Sequence, residues 1–235
     1  INRKEETTDL SQERNIRIGG FVLDTLTTGM YTNSLDTVRE YVQNSYDAIR
    51  EAESKGLLAQ RAGRITITVD DKERSLLIED NGTGIPVDDF VKRLLDIGLS
   101  EKDLKSDTGF RGIGRLAGIA YCERLEFSAK ASEENVESRL MIDCEKLKHS
   151  MSPFDKSDDD LSSLMARNTE IETIPNKSNN HFFRVTMQGI SQETPELLSR
   201  NSIEGYLSEV APVEFDAQRF VFAKKIEEWL TENGL

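Results

Sequence analysis

The chain has 235 residues, 37% of them hydrophobic and 31% charged, which is enough apolar content for one substantial core and excludes a disordered chain. A formal net charge of -13 and a pI near 4.8 oppose adsorption to nucleic-acid backbone or to an anionic membrane surface, so any anionic ligand must be held by local groups. No apolar run reaches membrane-spanning length, and the first residues lack the apolar stretch of a signal peptide. Ile1 stands where an initiating Met would be, as expected of a piece of a longer chain. Cys122 and Cys144 lack metal-ligand spacing and lie in apolar contexts, so two buried free thiols in a reducing cytoplasm are expected.

The first element is a helix. Leu35, Val38, Val42, Ser45, Ile49 and Ala52 recur at three- and four-residue steps, and Gly56 closes the segment. At about 100° per residue, Glu40, Asn44, Asp47 and Glu51 form a second, polar stripe nearly opposite. A solvated helix face would look the same. Strict alternation over Ile65, Ile67 and Val69, a charged turn at 70–74, and the apolar run 76–78 predict an antiparallel hairpin. Its second strand runs into Asp80, Asn81, Gly82, Thr83, Gly84 and Ile85, which leaves one carboxylate at a sheet edge beside backbone that a flat ligand can approach. Taken alone, these residues are common turn chemistry and read first as an ordinary strand-to-helix turn. Pro86 suits a helix first turn, and Phe90, Val91, Leu94, Leu95 and Ile97 give that helix an apolar face before Gly98.

Residues 98–109 are polar, charged and bounded by glycines, the composition of a mobile loop. They lead into Gly109, Phe110, Arg111, Gly112, Ile113, Gly114 and Arg115, followed by an apolar, helix-compatible run. Backbone N–H groups at such a helix start can bind phosphate oxygens, and glycine lets several of them converge. The lysine and hydroxyl of a P-loop are absent, and no dinucleotide-binding strand precedes the turn. Strands are predicted around 125–129, 139–142 and 182–187, and loops over 148–180 around a short strand at 169–174. The run Asp158, Asp159, Asp160 reads as a solvated turn, and His149 and His181 as isolated surface or packing residues. Helical spacing returns around Tyr206 and over 220–230, with Trp229.

Taken in this order, the motifs resemble the nucleotide-binding domain of the GHKL superfamily, the Bergerat ATP-binding fold of Hsp90-type chaperones, type II topoisomerase ATPase subunits, MutL-type repair proteins and histidine kinases. The resemblance covers roughly residues 20–190. It implies an α+β fold, a two-layer sandwich with a mixed, mostly antiparallel sheet backed by helices. It further implies an ATP-binding domain over 1–190 with a lid at about 98–114, and a helical extension or linker to a further domain over 191–235. By the same resemblance Glu40 is the general base for water and Asn44 the protein ligand of Mg2+. Magnesium commonly takes only one or two protein oxygens, so this sparse ligation is physically reasonable. Asp47 and Ala48 complete the helix motif, Asp47 steadying the adenine-pocket network or the helix.

Asp80 is then the acceptor for the adenine amino group, with Gly82 and Gly84 beside the ring and Ile85 packing on it. The lid contributes Lys102, Gly109, Phe110, Arg111, Gly112, Ile113 and Gly114, and Lys105 and Arg115 join Lys102 and Arg111 as candidate phosphate neighbours. One family feature does not carry over: the threonine expected to open the last strand falls at Phe183, with Thr186 three residues on. The implied function is magnesium-dependent ATP binding and hydrolysis in an Hsp90-like conformational switch, with ATP and ADP as ligands, an ATP-dependent homodimer, and a client or further domain as partner. The alternatives are the ATPase domain of a DNA-associated MutL- or topoisomerase-like protein, a non-hydrolytic nucleotide sensor, and a histidine kinase. The kinase is disfavoured because no histidine precedes Glu40.

Overall fold

The computed structural model describes residues 33–95, 114–150 and 161–211, together with Trp229 and Thr231. Helix α1 spans Leu35–Ser54 and buries Leu35, Val38, Tyr41, Val42, Ser45, Ile49 and Ala52. The Asn33 carboxamide oxygen accepts from Leu35 N at 3.0 Å, satisfying one of the unpaired amides of the first turn. At the other end Gly56, at φ +72°, lets Leu57 N reach the Ala52 carbonyl at 2.9 Å and Gly56 N that of Glu53 at 3.1 Å. That pair of bonds is the Schellman stop, and the left-handed residue it needs is glycine.

The remaining elements follow in chain order. They are β1 (Ile65–Asp70), β2 (Ser75–Asp80), α2 (Val87–Leu95), a 3-10 segment (Gly114–Ala120), β3 (Arg124–Lys130), β4 (Val136–Asp143), α3 (Cys144–Ser150), α4 (Leu161–Arg167), β5 (Thr169–Pro175), β6 (Phe182–Gln188), a short 3-10 turn (Pro195–Leu198) and α5 (Arg200–Val210). The six strands form one sheet in the order β1-β2-β6-β3-β4-β5, and every pairing is antiparallel. Strands β2 and β3 run in the same direction, but β6 lies between them and pairs antiparallel with both. No parallel pair therefore forms among the described strands.

Register makes one face of this sheet apolar. Leu76, Met187, Leu125 and Ile142 form one row across it, and Ile78, Val185, Phe127 and Leu140 the next. All eight are buried, and α1 packs on them. Each such aliphatic or aromatic side chain contributes on the order of 1.5–3 kcal/mol by leaving water. The opposite face carries charge: Arg184 donates to Glu79 at 2.5 and 2.7 Å, and Arg139 donates to Glu137 at 2.8 Å.

Two expectations change. Residues 161–167, read as loop, form α4, whose Leu161, Leu164 and Met165 are buried at helical spacing. The apolar, helix-compatible run opens as a 3-10 helix over Gly114–Ala120. Cys122 and Cys144 are buried free thiols, as expected. The Cys144 side chain and burial together push the Cys122 thiol well above its ordinary range. C-terminal to the sheet, Tyr206 on α5 donates to Asp36 of α1, and the Ser34 hydroxyl donates to Glu196. Residues 158–160 and 220–228 lie outside the described residues.

Candidate functional site

The site grows from the third row of the apolar sheet face. Asp80, Phe183, Ala129 and Ser138 occupy that row, so the strand pattern that buries Leu76 and Ile78 also buries the Asp80 carboxylate. Asp80 is 2% exposed. Its Oδ1 accepts from Gly82 N at 2.8 Å, and the Ser45 hydroxyl of α1 also bonds it. Burial nonetheless dominates and raises its pKa from 3.8 to about 6, with the Gly82 and Ser45 bonds and the nearby His181 pulling the other way. Phe183, where the family threonine was expected, lies directly across from Asp80 on β6 and stacks on Phe127 with ring centroids 6.0 Å apart. An aromatic ring thus stands beside the carboxylate where a hydroxyl would offer a hydrogen bond.

The 80–84 turn is pressed against α1. A Cβ on Gly82 would lie 2.7 Å from the backbone carbon of Ala48, and Thr83 N donates to the Ala48 carbonyl at 3.2 Å. A small residue on each side allows this approach, which accounts for Ala48 one step after Asp47. Gly84 has φ +64°, and a Cβ there would meet the Lys130 carbonyl at 2.1 Å, so glycine is required on two grounds. Ile85 is half-buried against the core.

On the polar stripe of α1, Glu40 and Asp47 are half-buried and Asn44 is exposed. Glu40 Oε1 is bonded to Arg39 Nη2 at 2.9 Å, and Asp47 Oδ1 accepts from Gln43 Nε2 at 3.0 Å. Asn44 lies one helical turn from each carboxylate, and its carboxamide oxygen is the type of hard donor that suits magnesium. Among the described residues no group of three or more His, Cys, Asp or Glu side chains could hold a metal by itself.

Lys102, Gly109, Phe110, Arg111, Gly112 and Ile113 lie outside the described residues, as does Lys105. Gly114 is buried at the start of the 3-10 segment. Arg115 Nε donates to the Leu94 carbonyl at 2.9 Å, joining the end of α2 to the 3-10 segment. That nitrogen of the expected phosphate neighbour is engaged in the fold. Tyr41 of α1 donates to the Arg115 carbonyl and accepts from Gly118 N, each at 3.1 Å. In the sequence Tyr41 is simply the residue between Glu40 and Val42, and no periodicity distinguishes such a tether from an ordinary core aromatic. The pairing of Arg39 with Glu40 was equally invisible, because neighbours in a helix ordinarily diverge.

Residues 31–185, well over half of the chain, match the family model described as histidine kinase-, DNA gyrase B-, and HSP90-like ATPase. The chain belongs to this family. Among curated proteins, the chaperone protein HtpG of Aliarcobacter butzleri is 26% identical over 209 residues, covering 77% of this chain and 33% of the relative. The chaperone protein HtpG of Porphyromonas gingivalis is 22% identical over 215 residues, covering 85% of this chain and 28% of the relative. The chain thus spans about a third of the length of the curated relatives it matches. Membership of this ATPase family makes the matched residues an ATP-binding domain. Among the described residues, no helix is long and apolar enough to cross a membrane.

Proposed function

We propose that this domain binds ATP with magnesium and hydrolyses it slowly, serving as the nucleotide-driven switch of an Hsp90-like cytoplasmic chaperone. The observation that carries the proposal is the junction of Ala48 with Gly82 and Thr83. Through it the helix bearing Glu40 and Asn44 and the turn bearing Asp80 form one surface. Asp80 accepts a hydrogen bond from the exocyclic amino group of adenine, and Gly82 and Gly84 give the flat ring close access to backbone. Asn44 holds the magnesium, whose chemistry is neutralisation of charge on the phosphate oxygens. Glu40 Oε1 is engaged by Arg39, which leaves Oε2 to take a proton from the attacking water. The lid around Gly109, Gly112 and Gly114 closes over the phosphates, and closure drives dimerisation or movement of a following domain. The two HtpG relatives favour a chaperone-type partner over a DNA-associated one.

Turnover and affinity separate the roles. Glu40→Gln is expected to keep ADP affinity within about threefold, measured by calorimetry with magnesium, and to lower ATP turnover by about 10²-fold or more. Unchanged turnover would show that Glu40 is not the base. Asn44→Ala is expected to abolish the magnesium dependence of binding.

A further inference from the structure

His181 stands just before β6, across the sheet edge from the 80–84 turn, and its Nδ1 is bonded to the Gly82 carbonyl. A carbonyl oxygen can only accept, so Nδ1 carries the proton and His181 is the donor. The next amide along, Thr83 N, donates to the Ala48 carbonyl at 3.2 Å. A single peptide plane, Gly82–Thr83, is therefore held at its oxygen by His181 and at its nitrogen by α1. The preceding amide, Gly82 N, is the donor that reaches Asp80 Oδ1 at 2.8 Å.

We infer that His181 is a positioning residue for nucleobase recognition: it fixes the Gly82–Thr83 peptide so that Gly82 N–H remains on the Asp80 carboxylate and keeps that carboxylate aimed at the base. The inference rests on the proposed reading of the site as an ATP pocket. Two features make the contact consequential. Glycine at 82 and 84 leaves the turn few intrinsic restraints, so an external bond decides which way its carbonyl points. Asp80 is buried, with burial opposing its ionised form, and it depends on its few donors to remain a carboxylate. Losing the His181 bond leaves the Gly82–Thr83 peptide held only at Thr83 N, loosens the adjoining Gly82 donor and leaves the Ser45 hydroxyl to orient Asp80.

The test compares ADP with IDP, each with magnesium, by calorimetry on the 235-residue chain. Inosine replaces the exocyclic amino group that Asp80 accepts from with a carbonyl oxygen and carries a proton on N1, so the ADP-to-IDP affinity ratio reads recognition of this base edge and not of the sugar and phosphates. A charge-assisted hydrogen bond corresponds to a wild-type ratio of about 10–100. His181→Ala is expected to lower ADP affinity about tenfold or more, to leave IDP within about twofold, and so to collapse the ratio. His181→Asn, which places an amide nitrogen near the Nδ1 position, is expected to retain most of the ratio. His181→Gln, which reaches toward the Nε2 position, is expected to behave like alanine. If the ratio is preserved in His181→Ala, or if both nucleotides weaken together, His181 is only structural and the inference is overturned. Should alanine fail to fold, equal ratios in the Asn and Gln variants overturn it. A wild-type chain that binds neither nucleotide overturns the ATP-site reading itself, whereas wild-type binding with a lost ratio in the variants supports both.

Discussion

Asp80→Asn is expected to make the protein more stable and less able to bind nucleotide. Burial raises the Asp80 pKa from 3.8 to about 6, so between those values the folded chain holds more protons than the unfolded chain. Stability then falls as pH rises through the window, and above it the ionised carboxylate costs the folded state ~3 kcal/mol. Asp80 is 2% exposed, so solvent screening removes little of that cost. Asparagine keeps an oxygen for Gly82 N, and its amide can donate to the Ser45 hydroxyl once that group turns. Urea unfolding of both proteins should place Asp80→Asn above wild type by ~3 kcal/mol at pH 7.5 and by only ~1 kcal/mol at pH 4.5. Calorimetry on the same samples should show ADP affinity at least tenfold weaker in the variant. Wild-type affinity should rise about tenfold from pH 5 to pH 7, because the acceptor must be ionised. A variant less stable than wild type at pH 7.5, or a gap that does not change with pH, would refute the assignment of Asp80 as a destabilised, buried carboxylate.

Other perturbations read the tethers around the site. Tyr41→Phe removes a hydroxyl that bonds both Arg115 O and Gly118 N; it should cost ~1–3 kcal/mol in urea unfolding and quicken hydrogen exchange at Gly118. Gly84→Ala combines a positive φ with a Cβ 2.1 Å from the Lys130 carbonyl, so a loss of at least ~3 kcal/mol or failure to fold is expected by circular dichroism. Cys122 and Cys144 are buried, and the Cys122 thiol is pushed well up. Alkylation in native buffer should therefore be slow, and both thiols should titrate freely in denaturant.

Local patterns were the legible part of this fold. The apolar stripe of α1, the β1–β2 hairpin and the β3–β4 pair each follow from spacing within a few turns or strands. What was not legible depends on contacts distant in sequence. The insertion of β6 between β2 and β3 joins residues more than a hundred positions apart, and it brings Phe183 opposite Asp80. The bond from His181 to Gly82 follows from the same insertion, so in sequence that histidine was merely isolated. Helix α4 carried its signal in Leu161, Leu164 and Met165, obscured by the polar composition around it.

The glycines and Asp80 carry different weight as signs of a ligand. Gly82 is needed because Ala48 lies against it, and Gly84 because of its φ and the Lys130 carbonyl; Gly118 leaves room for the Tyr41 hydroxyl. Each is accounted for by packing before any nucleotide is considered. Asp80 is not. An asparagine or an apolar residue would fill the third row of the sheet face without the ~3 kcal/mol that an ionised carboxylate costs there. The one feature of the turn that works against the fold is therefore the one that an amino-bearing base would use, and a perturbed carboxyl held by directed donors is where functional chemistry is to be sought.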